Sequence, residues 1–435
     1  MVISNHFSFH NRGCQASFNA LAAMIRENLP NSRIILLSHT PEFDQRYTRL
    51  EVRPSLWRSP RSSLSAIVAC TLWFLCRKAF AHAPLALLKH GELRSFLESD
   101  AVVCTGGDVF SEDYGWRCFS WQVGDVAVAL MLEKRVFLLA HTIGPFRSDL
   151  KAIILRFLFD RVDMIAIRDT MSAGVLLHMG VHTQIRLTAD PAFVLPASDK
   201  GWLMLGEKVD FRSLKRPIVG ISPSQGIVEY ADLREEEYVT LMSELARYIT
   251  RYLGGSVLLV PHSTGPRRNN DDRRACESVA AKASKGERVL VPREDLGAED
   301  LKGIIGKCDI YVGSRAHSTI ASLSQGIPTL AVGYSMKSAA IFSEWFAQSD
   351  CVVDVRKVTL TELVSKTEMI WHQRTLRRKA VLARLARVRT RANLNGTLLA
   401  RSLEKGSKSF DRGPGPLLTL RRLAVRNPGT CQASC

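Results

Sequence analysis

Two successive series of strand and helix signals predict an α/β protein. The expected architecture is two Rossmann-like, doubly wound domains facing a cleft at the carboxyl ends of their sheets. Three observations carry this. Short apolar runs alternate with helical patterns, and each run leaves into glycine or polar residues. The alternation weakens between Pro191 and Pro217 and then restarts. A chain of 435 residues is also too long for one ordinary core.

In order, a helix over about Ala16 to Asn28 precedes the strand Ile34 to Leu37. Ala101 to Cys104 ends in Thr105-Gly-Gly-Asp108. Val136 to Ala140 ends in His141-Thr-Ile-Gly-Pro145, and Met164 to Ile167 ends in Arg168-Asp169. Proline, glycine, aspartate and lysine then mark a linker. Beyond it, Ile218 to Ser222 leads into Pro223-Ser224, and Ser256 to Val260 leads into Pro261-His262. Helices are expected near Glu235 to Tyr252, Asp271 to Ser284 and Asp300 to Lys307. A strand at Ile310 to Val312 follows, then a helix of small residues closed by Gly326, then the strand Thr329 to Val332. The expected domains are residues 1–200, with an insertion at 55–90, residues 212–372, and a basic helical then disordered tail at 373–435.

Of the ten cysteines none forms a CxxC pair or a Cys/His ligand spacing, which predicts reduced thiols and no zinc site. The start shows no basic segment followed by a long apolar core, so no secretory signal is expected and a cytoplasmic location is. The apolar run Leu64 to Cys76 is shorter than the roughly 20 residues a spanning helix needs. It reads as an insertion helix packed on the first domain or lying at a bilayer interface. From Lys366 onward sixteen lysines and arginines face three acidic residues, so +13 of the net +17 lies in the last 70 residues. Such a tail reads first as a solvated helical face and second as a dock for an anionic membrane surface, where the protein would be peripheral. No nucleic-acid motif accompanies it.

The chemistry concentrates on loops that follow strands. Arg315 and His317 share one strand-to-helix turn, placing a cation that forks onto carboxylate or phosphate beside an imidazole able to exchange protons. Asp108 follows two glycines and offers a carboxylate for sugar hydroxyls or for base work, although such an aspartate often only caps a turn. Tyr114 lies on the same loop. Arg168 precedes a helix whose cap is Asp169 or Thr170, and is expected to point outward. Asn11, Ser224, His262 and Lys337 complete the candidate set. His262 reads more readily as a satisfied loop histidine, and Lys337 as a helix cap or a bridge to Glu344. No GxGxxG, Walker loop or GxSxG elbow is present. Two arginines and a histidine without metal ligands suit a small phosphorylated carboxylate.

In this order, the motifs Asn11-Arg-Gly13, Gly106-Gly-Asp108, Thr142-Ile-Gly-Pro145, Arg168-Asp-Thr-Met-Ser172, Asp190-Pro-Ala-Phe193, Gly220-Ile-Ser-Pro-Ser224, Val260-Pro-His262, Arg315-Ala-His317 and Tyr334-Ser-Met-Lys337 resemble the polysaccharide pyruvyl transferase family over about residues 10–345. The resemblance implies a GT-B-like fold and phosphoenolpyruvate as co-substrate, with no other cofactor. It implies a saccharide or lipid-linked oligosaccharide as acceptor, converted to a pyruvate ketal with release of phosphate. By position it implies that Arg168, Arg315 and His317 hold phosphoenolpyruvate, with His317 as the acid/base; the residue reading adds Asp108 to orient or deprotonate the acceptor hydroxyls. The family's acidic residue after Asn-x-Gly is Cys14 here, and the short first strand suggests a start lacking a few residues. Two other classes stay open. One is a nucleotide-sugar glycosyltransferase, which the absence of a carboxylate between Ser338 and Glu344 disfavours. The other is a non-catalytic, membrane-docked scaffold.

Overall fold

The computed structural model describes residues 1–80, 88, 91–112, 115–207, 214–283, 288–333 and 340–404. The chain runs through β1 (Val2–Ser4), α1 (Arg12–Asn28), β2 (Ile35–Ser38), α2 (Pro41–Asp44), β3 (Glu51–Pro54), α3 (Pro60–Phe80) and α4 (Arg94–Leu97). It continues with β4 (Ala101–Cys104), α5 (Gly115–Met131), β5 (Arg135–His141), α6 (Asp149–Phe159), β6 (Met164–Ile167), α7 (Thr170–His178) and β7 (Ile185–Leu187). After α8 (Lys200–Gly206) come β8 (Ile218–Ser222), α9 (Gln225–Tyr230), α10 (Glu235–Arg251), β9 (Ser256–Leu259), α11 (Asp272–Ala283) and β10 (Val289–Leu290). Then follow α12 (Ala298–Ile305), β11 (Ile310–Gly313), α13 (Ala316–Leu323), β12 (Thr329–Gly333), β13 (Val352–Asp354), α14 (Leu360–His372) and α15 (Arg374–Glu404).

Two parallel sheets result, ordered β3-β2-β1-β4-β5-β6-β7 and β10-β9-β8-β11-β12-β13. Residues of β1, β2, β4, β6, β8, β9, β11 and β12 are buried throughout, as continuous apolar runs in a sheet covered on both faces require. The edge strands are less covered, and β3 is the one with exposed residues. Its Glu51 and Arg53 are exposed or half-buried and pair with each other and with Arg33 and Glu98.

The chain divides into two compact units. The first holds Met1–Phe7, Leu21–Asp190 and the chain from Asn393, and the second holds Ser8–Ala20 and Pro191–Ala392. A single boundary near residue 200 does not reproduce this. Ser8–Ala20 joins the second unit through Arg12 on Asp295, His10 on Thr264 and Asn19 on Glu299. Residues beyond Asn393 join the first because Asn395 bonds Thr188 and Ala189, and the Arg135 guanidinium donates to the Ser402 and Leu403 carbonyls.

The expected linker is corrected in the same way. Pro191–Val194 forms a short 3-10 turn, and α8 packs on α12 so closely that the Cβ missing from Gly303 would lie 1.8 Å from the Ser198 carbonyl oxygen. A Cβ on Gly201 would lie 2.9 Å from Asp300 Cβ, so this glycine serves close packing of α8 on α12. The tail beyond Glu404 lies outside the described residues, while its helical part is α15.

Candidate functional site

In the second unit β9, β8 and β11 are neighbours, so the loops leaving their carboxyl ends are brought together. These loops carry His262, Ser224 and Arg315-Ala-His317. Arg315 caps α13 with extended backbone, and its side chain runs to the start of α11. There Nε and Nη2 fork onto the two oxygens of Asp272 at 2.7 and 2.8 Å, while Nη2 also meets Asn270 Oδ1 at 2.7 Å. Asp272 is fully buried and also accepts the backbone N–H groups of Gln225 and His262. One carboxylate therefore ties three strand-end loops into a unit.

His317 stands half-buried on the first turn of α13, with Nε2 3.3 Å from Ser17 Oγ on α1. The N-terminus of α1 lies directly against it. A Cβ on Gly13 would come within 2.3–2.5 Å of the His317 ring, so only glycine allows this approach. Asn11 caps α1, accepting from the Gly13 N–H at 3.0 Å, and pairs with Ser263. Arg12, fully buried, extends from the same turn to Gln15 and Asp295. Ser224 is buried at the start of α9, its N–H held by the Tyr238 hydroxyl, which in turn donates to Ser314.

His262 overturns the expectation of a satisfied loop histidine. It is buried, and neither ring nitrogen has a hydrogen-bond partner. Burial, followed by the charges of His317, Arg315 and Arg12, drives its pKa well below the usual imidazole range, so it is neutral.

The first unit repeats the pattern on β4, β5 and β6, also neighbours, with Asp108, Thr142 and Arg168 on their exits. Arg168 does not point outward as its place before a helix suggested. It is 6% exposed, with Nε on Thr142 Oγ1 at 2.8 Å and Nη1 on Asp190 at 2.5 Å. Asp169 caps α7 by accepting from the Ser172 N–H and also accepts from Thr142, so the helix cap and the guanidinium share one network. Burial alone would lower the Arg168 pKa. The carboxylates of Asp190, Asp108 and Asp169 outweigh it and raise it. Asp108 lies near enough to influence both Arg168 and His141. Burial drives His141 down to about 3, with the Arg168 charge adding to the effect and a bond from Nε2 to the Cys104 carbonyl opposing it.

The structure thus brings Arg315, His317, His262, Ser224 and Asn11 together in one unit, and Asp108 with Arg168 in the other. Tyr114 and Lys337 lie outside the described residues. Sequence reasoning missed Asp272, whose only mark is its place opening a helix after Asn269-Asn-Asp271. It also assigned no role to Asp190 and Thr142, although both stand in motifs it singled out.

The sequence profile of polysaccharide pyruvyl transferases matches residues 11–336, which contain every described residue of both clusters. The chain belongs to the polysaccharide pyruvyl transferase family. Amylovoran biosynthesis protein AmsJ of Erwinia amylovora is 23% identical over 250 residues, covering 56% of this chain and 59% of that protein, so the alignment spans under two thirds of the relative. Among solved structures, UDP-GlcNAc 2-epimerase from Neisseria meningitidis matches with TM-score 0.55 at 10% identity, over 93% of this chain and 99% of that one. The same enzyme from Methanocaldococcus jannaschii gives 0.56 at 11%, over 93% and 99%. At such identity the likeness speaks for fold alone, and it agrees with the two parallel α/β sheets of a GT-B-like family member.

Proposed function

We propose that this family member transfers the enolpyruvyl group of phosphoenolpyruvate to two hydroxyls of a saccharide, forming a pyruvate ketal and releasing phosphate. The observation that supports it most is the pairing of Arg315 and His317 on the first turn of α13. One cation is pre-oriented by Asp272, and one half-buried imidazole is pressed between α1 and α13. The N-terminus of α13 lies at the same corner, where a helix favours anions.

His317 protonates C3 of the enol ether, and a sugar hydroxyl adds to C2. Arg315 balances the donor's negative charge, which on the phosphate grows as that group departs and the second hydroxyl closes the ring. The proton from the first hydroxyl replaces the one His317 gave up, and that of the second leaves with phosphate. Neutral His262, buried behind, adds no positive charge that would compete for the donor. In the first unit, Asp108 is assigned to the acceptor hydroxyls and Arg168 to the family's donor set. Tyr114, Lys337, Asn11 and Ser224 are assigned to substrate binding. We further assign no cofactor beyond phosphoenolpyruvate, a cytoplasmic location and an acceptor of the exopolysaccharide-precursor class.

The test is thermal shift or calorimetry of the purified protein with phosphoenolpyruvate against UDP-sugars. Arg315→Lys is the control, since it keeps a cation on buried Asp272 while losing the fork. Stabilisation by phosphoenolpyruvate that is weakened in Arg315→Lys is the expected result. A preference for UDP-sugars moves the protein to the glycosyltransferases, and no response to either ligand favours the scaffold.

A further inference from the structure

Fifteen large apolar side chains are exposed among the described residues, and ten of them lie on α3, α5, α6 and α7 of the first unit. The concentration follows from topology. Strand order places the crossovers β3 to β4, β4 to β5, β5 to β6 and β6 to β7 in one direction, opposite to β1 to β2 and β2 to β3. Right-handed crossovers therefore put α3, α5, α6 and α7 on one face of the sheet and α1 and α2 on the other. The helices α1 and α2 carry none of the exposed apolar residues.

On α3 the exposed set is Leu64, Val68, Leu72, Leu75 and Phe80, and the first four, spaced by four, four and three, form one stripe about 16 Å long. Its inner side holds Ala66, Cys70 and Trp73 in the core of the unit. On α6 the exposed set is Leu150, Ile153 and Phe157, again one stripe. Between them α5 packs on both helices and shows Trp116. A soluble surface rarely groups apolar side chains in this way without a partner.

Cations rim the patch and lie over its rings. Exposed Arg161 sits 3.7 Å from the Phe157 centroid and exposed Lys78 5.5 Å from that of Phe74, while Lys151, 5.5 Å from the Trp116 centroid, is mostly buried and paired with Glu112. A long basic side chain over an interfacial aromatic keeps its charge in the headgroup zone while its stem lies on apolar surface. Ser63–Phe80 is long and apolar enough to cross a bilayer by composition, yet the burial of its inner side in the sheet's cover fits a helix that lies on the membrane.

We propose that the outer surface of α3, α5 and α6 docks on an anionic lipid bilayer, with the leucine stripe in the acyl boundary and the lysines and arginines on headgroup phosphates. This deepens the acceptor half of the reading above, since a lipid-linked saccharide is presented at such a surface. It needs no phosphoenolpyruvate to be tested, so either idea can fail alone.

The experiment is vesicle co-sedimentation of the full chain. The vesicles are phosphatidylcholine alone or phosphatidylcholine with roughly a third phosphatidylglycerol, a fraction that gives a strongly anionic surface. Three proteins are compared: the natural chain, the Leu72→Glu/Phe157→Glu double variant, and a tail variant with Arg421, Arg422 and Arg426 changed to serine. Circular dichroism and the melting temperature without ligand check that the double variant is folded. The expected result is binding to the anionic vesicles that falls at least about tenfold in the double variant and stays within about threefold in the tail variant. Unchanged binding by the double variant overturns the proposal, and if the tail variant alone loses binding the tail is the anchor. Failure of the natural chain to bind either vesicle also overturns it. If the double variant then converts a dimer to a monomer, the patch belongs to a second copy.

Discussion

Each parallel sheet carries an arginine just beyond the carboxyl end of a strand, and the two are held in different ways. Arg168 in the first unit is buried against Asp190, with Thr142 and the α7 cap in the same network. Arg315 in the second is half-buried and forks onto Asp272, which two backbone N–H groups also satisfy. The first is enclosed in its own network, whose carboxylates also set its charge. The second is 14% exposed and stands two residues from the half-buried His317. Position relative to a strand end is the same in both, so what differs is the company each carboxylate keeps.

The sharpest way to break this contrast is truncation. Arg168→Ala strands a buried carboxylate and should cost about 3–5 kcal/mol in urea unfolding. Arg315→Ala leaves Asp272 with its backbone donors and should cost less, about 1–3 kcal/mol. Equal losses would show that the two pairs are alike. Catalysis separates the units further. His317→Ala should lower turnover about 10²–10⁴-fold with little change in melting temperature, because the ring is half-buried and its bond to Ser17 is long, at 3.3 Å.

Gly13→Ala tests the pressing of α1 on that ring. The added Cβ forces the imidazole aside, and a displacement of about 1 Å is expected to lower turnover up to about 10²-fold while binding of phosphoenolpyruvate changes less. A variant with normal turnover would show that the ring position is not critical.

Acid should act on both units. His141 and His39 of the first are held at about 3 and about 4, chiefly by burial, and His262 of the second well below its usual range. Their unfolded forms bind protons from about pH 6.5 downward while the folded forms do not. Each therefore removes up to about 1.4 kcal/mol of stability per pH unit as pH falls below that point. Asp125 is raised to about 6 by burial, so its folded form takes up a proton first and opposes one histidine between about pH 6 and 4. Melting temperatures measured from pH 7.5 to 4.5 should fall in net, and His141→Gln should flatten part of the fall.

Much of the fold was legible because parallel strands buried on both faces must be continuous apolar runs. Ala101–Cys104, Met164–Ile167 and Ile218–Ser222 appear as read. The grouping Arg315-Ala-His317 was legible for a similar reason, since a turn between strand and helix places neighbours in sequence side by side. Arg168 was misread because its partner Asp190 lies on another loop, and no local pattern marks a side chain that turns inward. His262 was misread because the absence of a partner is a property of surroundings contributed by distant segments. The proline- and glycine-rich stretch after Pro191 was read as a tether, since the same composition serves loose loops and close helix contacts.

Periodicity and turn chemistry along the chain determined the element types, the restart after Pro217 and the motifs that mark the family. These depend on residues a few positions apart. Only tertiary structure decided that Ser8–Ala20 packs with the second unit, that Asp272 gathers three loops, and that one face of the first sheet's helical cover is apolar outside. Those facts come from burial and hydrogen bonding between segments far apart in sequence, and the free energy of such contacts has no local signature.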